Sequence, residues 1–152
     1  MSGLRYINNG TTVEVEADSK FKVVGTLSTP GQAQTVTISA AAGSANVSNI
    51  TITVKDGEGA TVAAVHHLDF TLTDDPAGAG LTGTTASGTV TTTSGIVLQT
   101  YTAKKALRIQ TLATGVAVVA ITDTAKTGFY AAVSLGGRAI VVSAQLVTGS
   151  YG

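Results

Sequence analysis

Apolar and polar residues alternate with a period of two along most of this chain. Ile50, Ile52 and Val54 are interleaved with Thr51, Thr53 and Lys55, and Leu68, Phe70 and Leu72 with His67, Asp69, Thr71 and Thr73. Successive side chains of a strand point to opposite faces, so this spacing predicts strands with one face in a core and the other in water. Thr35 to Ile38 and Ile96 to Tyr101 are further candidate strands. Beyond Ala106 the pattern predicts Leu107 to Ile109, Val116 to Ile121, Phe129 to Leu135 and Ile140 to Val147, broken at Gly115, Gly128 and Gly136-Gly137. Residues 77–95 hold little to bury, and Thr84 to Thr92 is expected to pair as a threonine-rich edge strand. No helical periodicity runs for a useful length. Seven or more short strands separated by turns predict an all-β, antiparallel β-sandwich. Its expected core is Ile50, Ile52, Val54, Leu68, Phe70, Leu72, Ile109, Val133 and Val142.

A change in pattern divides the chain near residue 30. Ahead of it lie Leu4-Arg5-Tyr6-Ile7, an Asn9-Gly10 turn, Val13-Glu14-Val15-Glu16, and Phe21 to Leu27 with Lys20 and Lys22. This zone holds much of the charge and reads as a β-rich arm. Ser28-Thr29-Pro30-Gly31-Gln32 reads as a turn or linker, because proline cannot donate to a ladder and glycine permits a bend. The expected organisation is therefore an arm over 1–29 and a sandwich over 30–152.

Composition narrows the function classes. Of 152 residues, 9 are basic and 9 acidic, so no net field draws the chain toward nucleic acid or anionic lipid. Charged residues make up 12%, about half the usual share, which points to a surface partly covered by partners. Cysteine is absent, which removes disulfides, thiolate nucleophiles and cysteine metal sites. Met1 to Gly10 has no apolar run of the kind that opens a secretory leader. The uncharged stretch 76–103 is long enough to cross a membrane but rich in Gly, Thr and Ser, whose polar groups lipid leaves unsatisfied. Neither a membrane nor nucleic acid is an expected partner.

Candidate chemistry is thin. His66 and His67 are adjacent on a predicted strand, so they face opposite ways and cannot share a metal. His67 and Asp69 share a face, yet a metal needs three or four ligands and Asp74 and Asp75 lie past the strand end. Serines are plentiful, but no G-x-S-x-G elbow accompanies them. Glu14 and Glu16 share a face in the manner of a solvated edge strand rather than a glycosidase pair. Gly78-Ala79-Gly80-Leu81-Thr82-Gly83 matches the dinucleotide-binding spacing without a following helix or a downstream acid. Asp56-Gly57-Glu58-Gly59 and Asp74-Asp75 have turn chemistry and fall short of a calcium coordination set. Lys104, Lys105 and Arg108 form the basic cluster, first a solvated face and second a contact for an acidic patch on a partner. No catalytic residue, metal or cofactor is expected.

Thr111-Leu112-Ala113-Thr114-Gly115, the strand Val116 to Thr124, and the corner Gly128-Phe129-Tyr130 resemble the second half of bacterial and phage immunoglobulin-like domains. There a T-x-x-x-G turn leads into a strand and a G-x-Y corner into the next. With Ile50 to Asp56 and Val65 to Asp74 as the first half, the resemblance covers roughly residues 31–149. A cysteine-free domain of this kind behind an N-terminal extension resembles the decoration, or cement, proteins of tailed-phage capsids. The resemblance implies a non-enzymatic virion protein on the capsid exterior, bound to major capsid protein and other virion subunits and often trimeric. It also implies a functional terminal arm. The expected partner contacts are Leu4, Arg5, Tyr6, Ile7, Val13, Val15 and Phe21 of the arm, then Lys104, Lys105 and Arg108. The alternative is a receptor- or carbohydrate-binding immunoglobulin-like module of a fibre or tail, which the scarcity of aromatic residues disfavours.

Overall fold

The computed structural model describes residues 30–152. The β-strands are β1 (Thr35–Ala42), β2 (Val47–Lys55), β3 (His67–Thr73), β4 (Val90–Ser94), β5 (Ile96–Thr102), β6 (Ala106–Gln110), β7 (Val116–Thr122), β8 (Tyr130–Leu135) and β9 (Val141–Val142), followed by a single 3-10 turn at Thr148–Ser150. They form two wholly antiparallel sheets, in the order β1-β2-β7-β4 and β5-β6-β3-β8-β9. This is the all-β sandwich that the alternation predicts. β1, β2, β7 and β4 take the places of strands A, B, E and D of an immunoglobulin-type sandwich, and β3, β8 and β9 those of C, F and G. β5 and β6 extend the second sheet beyond β3. Among the described residues no helix is long and apolar enough to cross a membrane.

Alternation translates directly into the core. In β2 every second residue from Ser48 to Val54 is buried, while the residues of the other parity, from Val47 to Lys55, are half-exposed. Ile50, Ile52, Val54, Leu68, Phe70, Leu72, Ile109 and Val133 all lie between the sheets, as expected, joined by Val119, Ile121, Phe129, Leu146 and Tyr151. Val142 does not. It pairs with Ala132 while Val141 pairs with Val133, so Val141 faces the core and Val142 the outside. Both residues of that strand are apolar, which leaves period-two reading without a means of choosing the face.

Other expected elements shift or shorten. The edge strand expected over Thr84 to Thr92 starts only at Val90, because Ala86 and Thr82 are buried in a loop that closes one end of the sandwich. Val65 precedes β3 and is exposed. The strand expected from Ile140 to Val147 shrinks to two residues, since the backbone there turns to bring Leu146 into the core and its N–H to the Phe129 carbonyl. The β-rich arm expected over 1–29 lies outside the described residues.

Two glycines permit the architecture. Gly115 ends the 111–115 turn at φ +76, and a Cβ there would collide with the Val62 carbonyl oxygen. Gly95 is the single residue between β4 and β5, where the chain crosses from one sheet to the other. Its φ is +93, and a Cβ would run into the Gln110 carbonyl oxygen. No side chain fits either position.

Candidate protein-interaction surface

Two of the acidic groups that stand out in the sequence as possible ligands, Asp56 and Asp74, are engaged by their own loops, and Asp123 is held in the same way. Asp56 accepts from the Glu58 and Ala60 N–H groups at 3.0 and 2.8 Å and from Gly31 at 2.9 Å. Asp74 accepts from the Thr82 hydroxyl at 2.6 Å and the Gly83 N–H at 2.8 Å. Asp123 accepts from Ser87 and Thr127 N–H groups at 3.1 and 2.8 Å. Each carboxylate therefore knots a loop whose N–H groups have no ladder to join. The donors hold all three acids below the ordinary range. For Asp56 the Gly31 N–H leads, opposed by burial and reinforced by Ala60 and Glu58. For Asp74 the Thr82 hydroxyl leads, with Gly83 and the Lys105 charge against burial. At Asp123 burial pushes upward, but the Thr127 and Ser87 donors outweigh it and bring the group to about 2.

The corner that resembles G-x-Y is built differently from its pattern. Phe129 is the buried ring, and the tyrosine hydroxyl that ties this corner belongs to Tyr151, which donates to the Thr127 carbonyl at 2.7 Å. Burial and the nearby Asp123 charge push Tyr151 up to about 12. In the T-x-x-x-G turn the buried Thr111 accepts the His66 N–H at 2.9 Å and donates to the Ala64 carbonyl at 3.2 Å. His66 itself leaves its ring Nε2 buried without a hydrogen-bond partner among the described residues. Among those residues no three His, Asp or Glu side chains are grouped to hold a metal.

The basic cluster does not form a free patch. Lys104 donates to the Ala86 and Ser87 carbonyls at 3.2 Å, and Lys105 to those of Thr82 and Gly83 at 2.7 and 3.2 Å. Both lysines strap the 82–87 loop, whose carbonyls lie outside any ladder. Arg108 points to the outer face of β6 and forks onto Asp69 of β3, Nε to Oδ1 at 2.9 Å and Nη2 to Oδ2 at 3.1 Å. The Asp69 hydrogen bond, then its charge, raises Arg108 further above its already high range. The expected partner residues Leu4, Arg5, Tyr6, Ile7, Val13, Val15 and Phe21 lie outside the described residues.

The exposed large apolar groups that share a single strand lie on the sheet formed by β5, β6 and β3. On the opposite half of the same face, over β8 and β9, the glycine-rich 78–83 stretch of the 74–83 loop packs in part, with Gly78 against Val142, Ile140 and Ala132, while Ile140 itself stays 54% exposed. β5, by contrast, is bordered among the described residues on one side only, by β6. Ile96, Leu98 and Tyr101 on it are 53%, 45% and 49% exposed, high values for large apolar groups brought together on one seven-residue strand. Tyr101 lies 5.6 Å beneath the Arg108 guanidinium and donates to Asp69 at 3.4 Å. Beside them His67 and Gln110 meet at 3.3 Å. The result is an apolar strip next to a preset Arg–Asp–Tyr group, the residue mix of a protein contact. The outer face of the other sheet carries Thr37 and Ser39 of β1, Thr51 and Thr53 of β2, and beside them Val118 and Val116 of β7, the ordinary wet side of an antiparallel sheet.

Sequence reading passes over this surface because IVLQTYT looks like any other strand. Only the pairing reveals that it is an edge. The one signal available is its lack of charge and proline, the usual guards of an edge strand. No protein-family model, curated protein or solved structure compared with this chain matches it.

Proposed function

We propose that this chain is a non-enzymatic structural protein of a phage particle, a decoration protein that binds the outside of the capsid and reinforces it by bridging major capsid subunits. The observation that carries the reading is the strip of Ile96, Leu98 and Tyr101, exposed among the described residues beside the Arg108–Asp69 pair, on a sandwich whose Asp56, Asp74 and Asp123 carboxylates are turned to their own loops. A rigid β surface of this kind gains its energy from apolar contact and shape, with a neutral rim that suits a crowded shell. The resemblance to phage immunoglobulin-like domains supports the same assignment.

Particles purified from cells that produce the chain test it, with gold-labelled antibody against the chain read by negative-stain imaging. Gold spread over icosahedral shells is the expected result. Gold at fibre tips favours the receptor-binding module instead, and unlabelled particles overturn both.

A further inference from the structure

The outer edge of β5 has a property that separates it from a generic sticky strand: it is suited to its own copy. Ile96–Thr102 carries no charge. The charges beside it, Arg108 and Asp69, are one of each sign and already paired. A contact between identical surfaces must be its own complement, and a patch of single sign would repel its copy. The two cations after the strand, Lys104 and Lys105, lie at one end only. If two β5 strands meet antiparallel, these lysine pairs sit at opposite ends of the contact; in a parallel meeting they would lie side by side.

We propose that β5 of one copy meets β5 of a second copy antiparallel about a two-fold axis, so that the two five-stranded sheets adjoin edge to edge and Ile96, Leu98 and Tyr101 of the two copies pack side by side as one doubled apolar strip whose outer face stays open to the capsid. The register of β5 on β6 shifts between Val97 and Gln99 and again between Thr100 and Thr102. These irregularities limit backbone pairing across the new edge to short runs. The apolar side chains therefore carry the contact, and a substitution of one of them has a large effect. Other candidate occupants of this edge, such as a strand of a capsid subunit, are separated by the experiment.

Because the chain lacks cysteine, a single introduced thiol reports proximity without interference. A disulfide needs Cα atoms within about 7 Å. Leu98→Cys and Gln99→Cys in the full chain are expected to form cross-linked dimers on mild oxidation, while Val147→Cys, more open than Leu98 at 60% against 45% exposure, stays monomeric. In sedimentation velocity the unmodified chain should show a concentration-dependent dimer. Leu98→Lys should weaken it by about tenfold or more, roughly the loss of one central apolar anchor, with circular dichroism unchanged. Val147→Lys should leave it intact. Equal cross-linking at all three thiols, a monomer at every concentration, or a trimer indifferent to Leu98→Lys overturns the proposal. If the chain is monomeric and Leu98→Lys abolishes particle labelling, the edge belongs to a different partner: the two-fold contact is wrong and the decoration reading stands. If a Leu98-dependent dimer forms but labels no particle, the two-fold contact stands and the decoration reading is wrong.

Discussion

Ser48 shows how a single atom stands out in a well-packed sandwich. It occupies an inward position of β2, opposite Ile121 of β7 and fully buried, and its Oγ has no hydrogen-bond partner among the described residues. A buried hydroxyl left unpaired carries its desolvation cost with nothing to offset it. Ser48→Ala should therefore raise the unfolding free energy by about 1 kcal/mol, measured as an upward shift in urea midpoint with an unchanged slope. A downward shift would show that the hydroxyl has a partner. Asp123 is the contrasting case, equally buried but satisfied by two backbone donors. Asp123→Ala strands those donors and should cost about 2 to 3 kcal/mol, read from the same urea titration.

Whole strands are legible in the sequence where one parity is apolar and the other polar, as in β2 and β3, since burial of one face dictates register. Legibility ends where that contrast ends. Val141 and Val142 are alike, so alternation picks the wrong one as the inward residue; residues 84–87 are small and polar and close a loop, so that backbone pairing with β7 begins only at Gly88 and Thr89. The proposed contact surface is less legible still. It depends on β5 having a neighbour on one side only, and on Arg108 meeting Asp69 across strands 39 positions apart, neither of which local pattern encodes. The lysines fail as a free basic patch for a related reason, their carbonyl partners being set by how the 82–87 loop folds. Gly95 is the element-scale feature most open to test. Gly95→Ala forces a Cβ into the Gln110 carbonyl at a positive φ, and the left-handed penalty alone is about 1 to 2 kcal/mol. The variant should lose at least that much stability, and loss below about 0.5 kcal/mol would mean the corner can rebuild.

At the scale of the molecule, among the described residues the acidic knots and the buried Tyr151 phenol shape how stability depends on pH. Asp56, Asp74 and Asp123 are depressed in the fold, Asp123 from 3.8 to about 2. Their contribution is therefore complete above the unfolded value and is lost as pH falls from about 4 toward 2. Tyr151 is raised from 10.0 to about 12. Between those values the unfolded chain releases the proton that the fold retains, so stability falls as pH climbs through that interval. Thermal melts across pH should show a plateau with both shoulders, and Tyr151→Phe should flatten the alkaline one. The link between the two sheets through Gly95 has one more consequence. With β4 and β5 continuous, that side of the sandwich acts as the spine of a book. At the far margin β1 lies near β9 with several residues of chain between the sheet crossings, whereas at β4 and β5 a single residue joins the two sheets. The strand that carries Ile96, Leu98 and Tyr101 is thereby hinged directly to the neighbouring sheet, and its first residue is fixed in place by the strand before it.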